Sequence, residues 1–437
     1  MGIHTTTRPR TGVLAARFFG YLSADGLNYA LSFIIYALLV RVLTNRQYGE
    51  LSIATTLYQA LMMVSALGLD LTGPKLIAEF GGNPIDFARQ AQRLRIKIAL
   101  LFCAPLQFAF AWMAWHEGRG LLAGIIVASF AMVFARALDL TYVAVAAGLP
   151  GPVAKTRAVG LTVYLVILAL CIPIIRNHLW LVPVFNALGV TLGRLQLGRI
   201  LRLRYPDGHP QRSFAGWNII KVGLRASGGQ LLLLIMQTGD VILLARYVST
   251  DVVGQYAMVS RLYLLGTAAL AALLNTFLPE IVRVAHSASS LRHQFRAYVV
   301  ANLVLAATGW AFFHFVAARL CETLAHRTLP IVYSITPTFA LVFLLLALAN
   351  PFLSMLPSLH RSTEYVIGVA AALVLLLALD LVLMPRYGAI GAARGQAIAM
   401  AFLALYSCVI CLMHIRGLPD LVADATAPEL ARFNLEA

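Results

Sequence analysis

The chain holds 437 residues, 60% of them hydrophobic and only 12% charged, with a mean hydropathy of +0.81. Soluble domains carry about 25% charged residues, so this composition excludes a water-soluble domain and points to a chain that dissolves in lipid. The net charge of +16 does not indicate nucleic acid, because the basic residues gather in alternate connections between apolar segments, as orientation in a membrane requires.

The N-terminal arm carries Arg8, Arg10 and Arg17 and no acid. The apolar segment that follows outruns the roughly 7–15 residues of a signal peptide's apolar region, so it reads as an uncleaved first helix. Apolar runs of about 20 residues, each long enough to cross a core of roughly 30 Å, predict helices near 18–40, 51–73, 96–115, 121–143, 157–175 and 179–198. A second set follows near 221–246, 254–279, 297–317, 331–356, 363–384 and 389–414. The runs are continuous rather than alternating, which argues against a β-barrel. Twelve helices put both termini on one side. The N-terminal arm, the even-numbered connections and the C-terminal tail hold 23 of the 34 basic residues, so both termini are expected in the cytoplasm of a bacterial inner-membrane protein. The five cysteines lie in or beside apolar runs; Cys408 and Cys411 stand three apart on one helix, but no second ligand pair accompanies them and free thiols are expected.

Sliding the sequence against itself by 205 residues aligns Leu38–Pro74 with Leu243–Pro279 without a gap. Nine of the 37 positions are identical, among them Arg41/Arg246, Gly49/Gly254, Tyr58/Tyr263 and Pro74/Pro279. Apolar bias explains matched Leu and Ala but not an Arg, a Gly and a Pro in register at helix ends. The offset carries helices 1 and 2 onto helices 7 and 8, an even displacement, so the halves insert in the same orientation about an axis along the membrane normal. The expected organisation is an N-terminal lobe over 1–205, a C-terminal lobe over 206–417 and a tail over 418–437. Substrate would bind between the lobes.

Several segments together resemble the polysaccharide-type flippases of the multidrug/oligosaccharidyl-lipid/polysaccharide exporter superfamily. They are Arg41-Val-Leu-Thr-Asn-Arg-Gln-Tyr48-Gly49-Glu-Leu, Ala66-Leu-Gly-Leu-Asp-Leu-Thr-Gly-Pro74, Asp240-Val-Ile-Leu-Leu with Val253-Gly254-Gln-Tyr256 and Ser260-Arg261-Leu262, and Pro385-Arg-Tyr387-Gly388-Ala-Ile-Gly391. The resemblance spans about 40–395. It implies an all-α membrane protein of about 12 transmembrane helices in two pseudo-symmetric six-helix bundles around a central cavity. It also implies transfer of an undecaprenyl-pyrophosphate-linked oligosaccharide from the cytoplasmic to the periplasmic leaflet for O-antigen or exopolysaccharide synthesis, with membrane lipids and a polysaccharide polymerase or glycosyltransferases as partners. Peptidoglycan-precursor flippases of the same superfamily crowd arginines into helix 1, where this chain has Asp25 and Asn28.

An ionised side chain in the bilayer costs at least about 2.5–3.5 kcal/mol, so each invites a functional reading. For the substrate or ion path the candidates are Asp25, Arg136, Asp139, Arg225, Asp240 and Arg261. Arg261 could donate to a pyrophosphate or to sugar hydroxyls, and Asp240 could accept from hydroxyls or exchange a proton or sodium ion; equally, the two could form an ion pair. Arg136 and Asp139, three apart, could neutralise one another. Asp25 is a helix cap or an ion site, and Arg225 meets substrate at the mouth or snorkels. Asp380, four residues from a helix end, is expected at the interface. Arg41 and Arg246 occupy matching ends of helices 1 and 7 and are candidates for a gate or lobe interface, or simple anchors.

No nucleotide-binding loop, zinc-protease motif or catalytic triad is present, so no enzyme activity, cofactor or metal is expected. A glycan polymerase or ligase would need a large periplasmic loop, and these loops are short. Export of drugs or small molecules is the alternative, favoured if the cavity is small and lined by aromatic side chains.

Overall fold

The computed structural model describes residues 11–80, 83–205, 216–284, 288–358 and 361–417. Every regular element among them is helical, which leaves no backbone hydrogen bond to be made with lipid.

In chain order the first half comprises α1 (Thr11–Val42), α2 (Asn45–Ala66), α3 (Leu69–Phe80), α4 (Pro84–Ile98), α5 (Ala104–His116), α6 (Gly120–Ala137), α7 (Thr141–Ala146), α8 (Pro150–Leu170), α9 (Ile172–Ile175) and α10 (Leu181–Arg204). The second half comprises α11 (Gly216–Thr238), α12 (Asp240–Leu244), α13 (Thr250–Val284), α14 (Ala288–Phe312), α15 (Ala318–Ala325), α16 (Pro330–Ser358) and α17 (Ser362–Gly417). Eight helical stretches among the described residues are long and apolar enough to span a membrane, and Gly26–Val42 is a shorter apolar one, so the protein is a multi-pass membrane protein. Large apolar side chains such as Leu101, Trp112, Leu170 and Phe315 stay exposed, where hydrocarbon rather than water would meet them.

Local chemistry sets the helix limits. Thr44 opens α2 through a capping box, its hydroxyl accepting from the Gln47 amide while the Gln47 side chain accepts from the Thr44 amide. The predicted second helix over 51–73 is in fact two elements, because Leu67 and Gly68 both take positive φ and end α2 before α3 begins. Pro84, with Asn83 as cap, and Pro330 start helices at positions where a missing N–H costs nothing. At 56 residues α17 would extend about 84 Å if straight, far beyond a bilayer. It turns at Gly388, whose φ of 55° and ψ of −130° are non-helical, between the predicted segments 363–384 and 389–414.

Both halves contain a 33-residue span, Pro84–His116 and His293–Ala325, and each is interrupted by a five-residue π segment, Ala99–Cys103 and Phe313–Ala317. Matching irregularities of this kind accompany the sequence repeat. The main apolar core runs through both halves, from Tyr36, Leu51 and Leu57 to Tyr263, Phe339 and Leu403. The five cysteines are free, Cys408 and Cys411 included.

Candidate functional site

A cavity of about 450 Å³ lies between the two halves, walled by α1, α2, α8 and α10 on one side and by α11 and α13 on the other. Arg261 of α13 is the one charged side chain among its lining residues. Its Nη1 donates to Gln59 Oε1 across the cavity at 3.3 Å, and no carboxylate pairs with it among the described residues. Tyr36, Tyr48, Tyr58 and Tyr164 supply most of the aromatic wall, with Asn186 and Thr55 between them.

The two halves also meet backbone to backbone near both ends of α2. At the Asn45 end, Gly49 of α2 and Gly254 of α13 meet backbone to backbone: a Cβ on Gly254 would collide with the Asn45 carbonyl, and one on Gly49 with the Thr250 carbonyl. These are the glycines that the repeat pairs. The same end is fastened by Tyr36, whose hydroxyl donates to the Met258 carbonyl at 3.1 Å, and by Arg327, whose Nη2 donates to the Val40 carbonyl at 3.4 Å. Burial lowers the Arg327 guanidinium from its ordinary range, with nearby Asp251 opposing the shift. At the Ala66 end, a Cβ on Gly223 of α11 would strike the Leu67 carbonyl, and one on Gly68 the Gly223 carbonyl and Ser227.

The structure separates the sequence candidates. Arg261 lines the cavity, and no ion pair with Asp240 is formed. Asp240 begins α12 after the break at Gly239, and its side chain accepts from the Tyr256 hydroxyl and the Val241 amide. It does not line the cavity, so it has no direct contact to offer substrate hydroxyls there. Asp380 is 1% exposed, near enough to Asp240 for their charges to interact, and both its oxygens lack a hydrogen-bond partner among the described residues. Beside it, Gln396 is fully buried with Oε1 unpartnered, and a Cβ on Gly395 would press against Asp380 Oδ1.

Arg136 and Asp139 do pair, though not on one uninterrupted helix: α6 ends at Ala137, and Asp139 caps the next turn by accepting from the Thr141 amide and hydroxyl. Arg136 also reaches Asp70 of α3, and Arg194 of α10 reaches Asp139 at 3.4 Å. Beneath this network lies Arg95, fully buried, donating to the carbonyls of Ser65, Asp139 and Arg136 at 3.2, 2.8 and 2.6 Å. These groups tie α2, α3, α6 and α10 together and lie outside the cavity lining. Arg41 and Arg246 are exposed and have no ion pair among the described residues; backbone contact at that end is made by Gly49 and Gly254. The side chains of Asp25 and Arg225 lie outside the described residues.

Comparison with solved structures finds the same fold at low identity. An inward-facing multidrug resistance MATE family transporter of the MOP superfamily matches with TM-score 0.72 and 13% identity, over 90% of this chain and 96% of that one. The lipid II flippase MurJ, in an inward closed conformation, matches with TM-score 0.71 and 11% identity, over 92% of this chain and 88% of that one. An outward-facing MATE family transporter matches with TM-score 0.60 and 12% identity, over 92% and 89%. No curated protein matches the sequence. A family model described as polysaccharide biosynthesis protein matches residues 14–285, and the chain belongs to that family.

Proposed function

We propose that this protein moves an undecaprenyl-pyrophosphate-linked oligosaccharide from the cytoplasmic to the periplasmic leaflet of the bacterial inner membrane, by alternating access between two lobes. The observation that carries the reading is Arg261, a cation on the cavity wall whose one hydrogen-bond partner among the described residues is an uncharged amide. A charge left without an opposite partner inside a membrane is costly, and an anionic ligand between the lobes would offset that cost. Membership in the polysaccharide biosynthesis family and likeness to a lipid II flippase support a lipid-linked glycan as cargo.

The same evidence supports twelve crossings. Counting α17 as two about Gly388, α2 and α10 as spans of low hydropathy, and α1 as the first gives six in each half. With cytoplasmic termini, the Gly49/Gly254 contact closes the periplasmic side. The polyprenyl tail stays in lipid while pyrophosphate and glycan enter between the lobes. The present cavity is too small for a whole oligosaccharide, so the cytoplasmic contact at Gly68 and Gly223 must part on loading. Outward movement of each negative charge is favoured by about 2.3 kcal/mol per 100 mV across an inside-negative membrane. The buried pair Asp240 and Asp380 is the place in the C-terminal lobe where a counter-transported proton or sodium ion would be carried.

A small, tyrosine-walled cavity is also what a small-molecule exporter would have, and that observation keeps export as the second reading. Lectin protection of a polyprenyl-pyrophosphate oligosaccharide in spheroplasts separates them: wild type should expose the glycan outside, and Arg261→Gln, inserted at normal levels, should retain it inside. Normal exposure in cells lacking the protein would defeat the flippase reading.

A further inference from the structure

We propose that residues 418–437, an acidic segment, dock on the exposed basic surface of the N-terminal half at the end where Gly68 meets Gly223, and so strap the two halves together across the cytoplasmic mouth. The inference rests on the reading that the halves part at that end and needs nothing of the cargo.

The sequence supplies the complementarity. In a chain of net charge +16 with 18 acidic residues, the segment 418–437 holds four of those acids, Asp420, Asp424, Glu429 and Glu436, against one cation, Arg432. An anionic leaflet repels such a segment, which leaves the protein's own cations as its neighbours. Those cations are placed by the buried cluster that joins α3, α4, α7, α10 and α11 through Phe80, Phe87, Tyr142, Leu201 and Ile219. Around it stand Arg93 of α4, Lys155 of α8, Arg202 and Arg204 of α10 and Lys221 of α11, all exposed and without an ion pair among the described residues. Acids on α3 and α4 are already spent: Asp70 on Arg136, Glu79 on Lys75 and Asp86 on Arg89. Among the described residues of the C-terminal half, Arg296 and Arg361 are exposed at this end, and Arg361 is spent on Glu364 at 2.8 Å.

The segment also starts at the right end. Helices α2 and α13 leave the Gly49/Gly254 contact in the same direction, since Gln59 and Arg261 meet further along them. The far part of α13, Phe277 and Ile281, shares a buried cluster with Tyr298 of α14, Leu356 of α16 and Cys411 near the end of α17. Helix α17 therefore ends on the side of the Gly68/Gly223 contact. Its closing turns lie beside its start, where the Tyr406 hydroxyl donates to the Glu364 carbonyl at 3.1 Å. That start packs through Tyr365 on Gly229 of α11, and α11 packs on α3 and α4. Three helix widths, roughly 30 Å, separate the end of α17 from the basic surface. A coil of this length averages about 25 Å and extends to about 66–72 Å, so the segment reaches without being stretched. Tethering makes docking intramolecular, at an effective concentration on the order of millimolar, so pairs that are individually weak act together. The two attachments lie on opposite halves, and parting the mouth pulls them apart.

The test uses the purified full chain, freed of its native cysteines, with Gly151→Cys on α8, where an added Cβ meets open space, and Ala431→Cys in the acidic segment. Spin labels at the two should give a short distance population in phosphatidylcholine nanodiscs at low salt. It should be lost at about 1 M salt, where the screening length is about 3 Å. It should also be lost in a neutralised segment carrying Asp420→Asn, Asp424→Asn, Glu429→Gln and Glu436→Gln, and equally with Arg202→Gln, Arg204→Gln and Lys221→Gln together. In the same background with Ser52→Cys on the cavity wall as the one cysteine, the neutralised segment should raise labelling from the cytoplasmic side several-fold. A distance that ignores both sets of substitutions would overturn the docking. A short population that vanishes in nanodiscs containing phosphatidylglycerol would assign the basic surface to lipid headgroups and overturn the strap. Labelling that occurs but is unchanged by neutralisation would overturn its hold on the mouth. No labelling from that side in either protein, with the short population present, would count against alternating access and leave the docking standing.

Discussion

Two arginines illustrate how position decides what a charge does. Arg95 is fully buried and its guanidinium satisfies three carbonyls at the ends of α2 and α6, so its work is structural. Replacing it by Met would orphan those carbonyls beside Asp139, with an expected loss of about 3–5 kcal/mol; thermal unfolding in detergent should fall steeply for Arg95→Met and little for the exposed Arg41→Met. Arg261, by contrast, spends almost nothing on the fold, so Arg261→Gln should insert and unfold like wild type while losing transfer. The sequence singled out Arg261, because a charge in the middle of an apolar run is conspicuous. Its partner was not legible: whether Asp240 meets Arg261 or Tyr256 depends on how each helix is rotated about its axis, which the sequence does not state. Arg95 was hidden for the opposite reason, standing in a basic connection that hydropathy reads as solvated, and the burial of Asp380 was hidden because nearness to a predicted helix end does not say which neighbouring helix covers the side chain.

At the level of helices, the internal repeat was the most informative sequence signal. It paired Gly49 with Gly254 before any geometry was known, and the structure brings those two backbones into contact. The repeat could not say that the paired residues touch one another, since equivalence by symmetry and contact across the axis are separate facts. It is also broken where chemistry differs: the positions matching Arg261 and Gln59 are Thr56 and Leu264, so the cation belongs to one half only. A side chain at Gly254 would force α2 and α13 apart at this end. In a cysteine-free background carrying Ser52→Cys on the cavity wall, Gly254→Val should raise labelling by a membrane-impermeant thiol reagent from the periplasmic side several-fold. Labelling unchanged from the parent would show that this contact does not close the path. Helix boundaries were read less well than helix existence. The break at Leu67 and Gly68 lies inside an apolar run, and only the positive φ of both residues separates α2 from α3.

For the molecule as a whole, composition and continuous apolar runs pointed to the solvent and the helical class, and the segments around Tyr48-Gly49 and Arg261, which lie within the family match over residues 14–285, carried the family. Side of the membrane, coupling and cargo rest on the reading given above. If Asp380 carries a counter-ion, Asp380→Asn should leave transfer running at a rate no longer sensitive to the ion gradient, while wild type slows when the gradient is collapsed at constant potential; equal sensitivity in the two would exclude Asp380 from coupling. The most direct measurement is leaflet transfer in proteoliposomes made with the purified protein and a fluorescent polyprenyl-pyrophosphate oligosaccharide. Wild type should carry the labelled glycan to the opposite leaflet and Arg261→Gln should not. A wild-type protein that leaves every such lipid in place, yet moves a small-molecule dye, would contradict the assignment and make this chain an exporter.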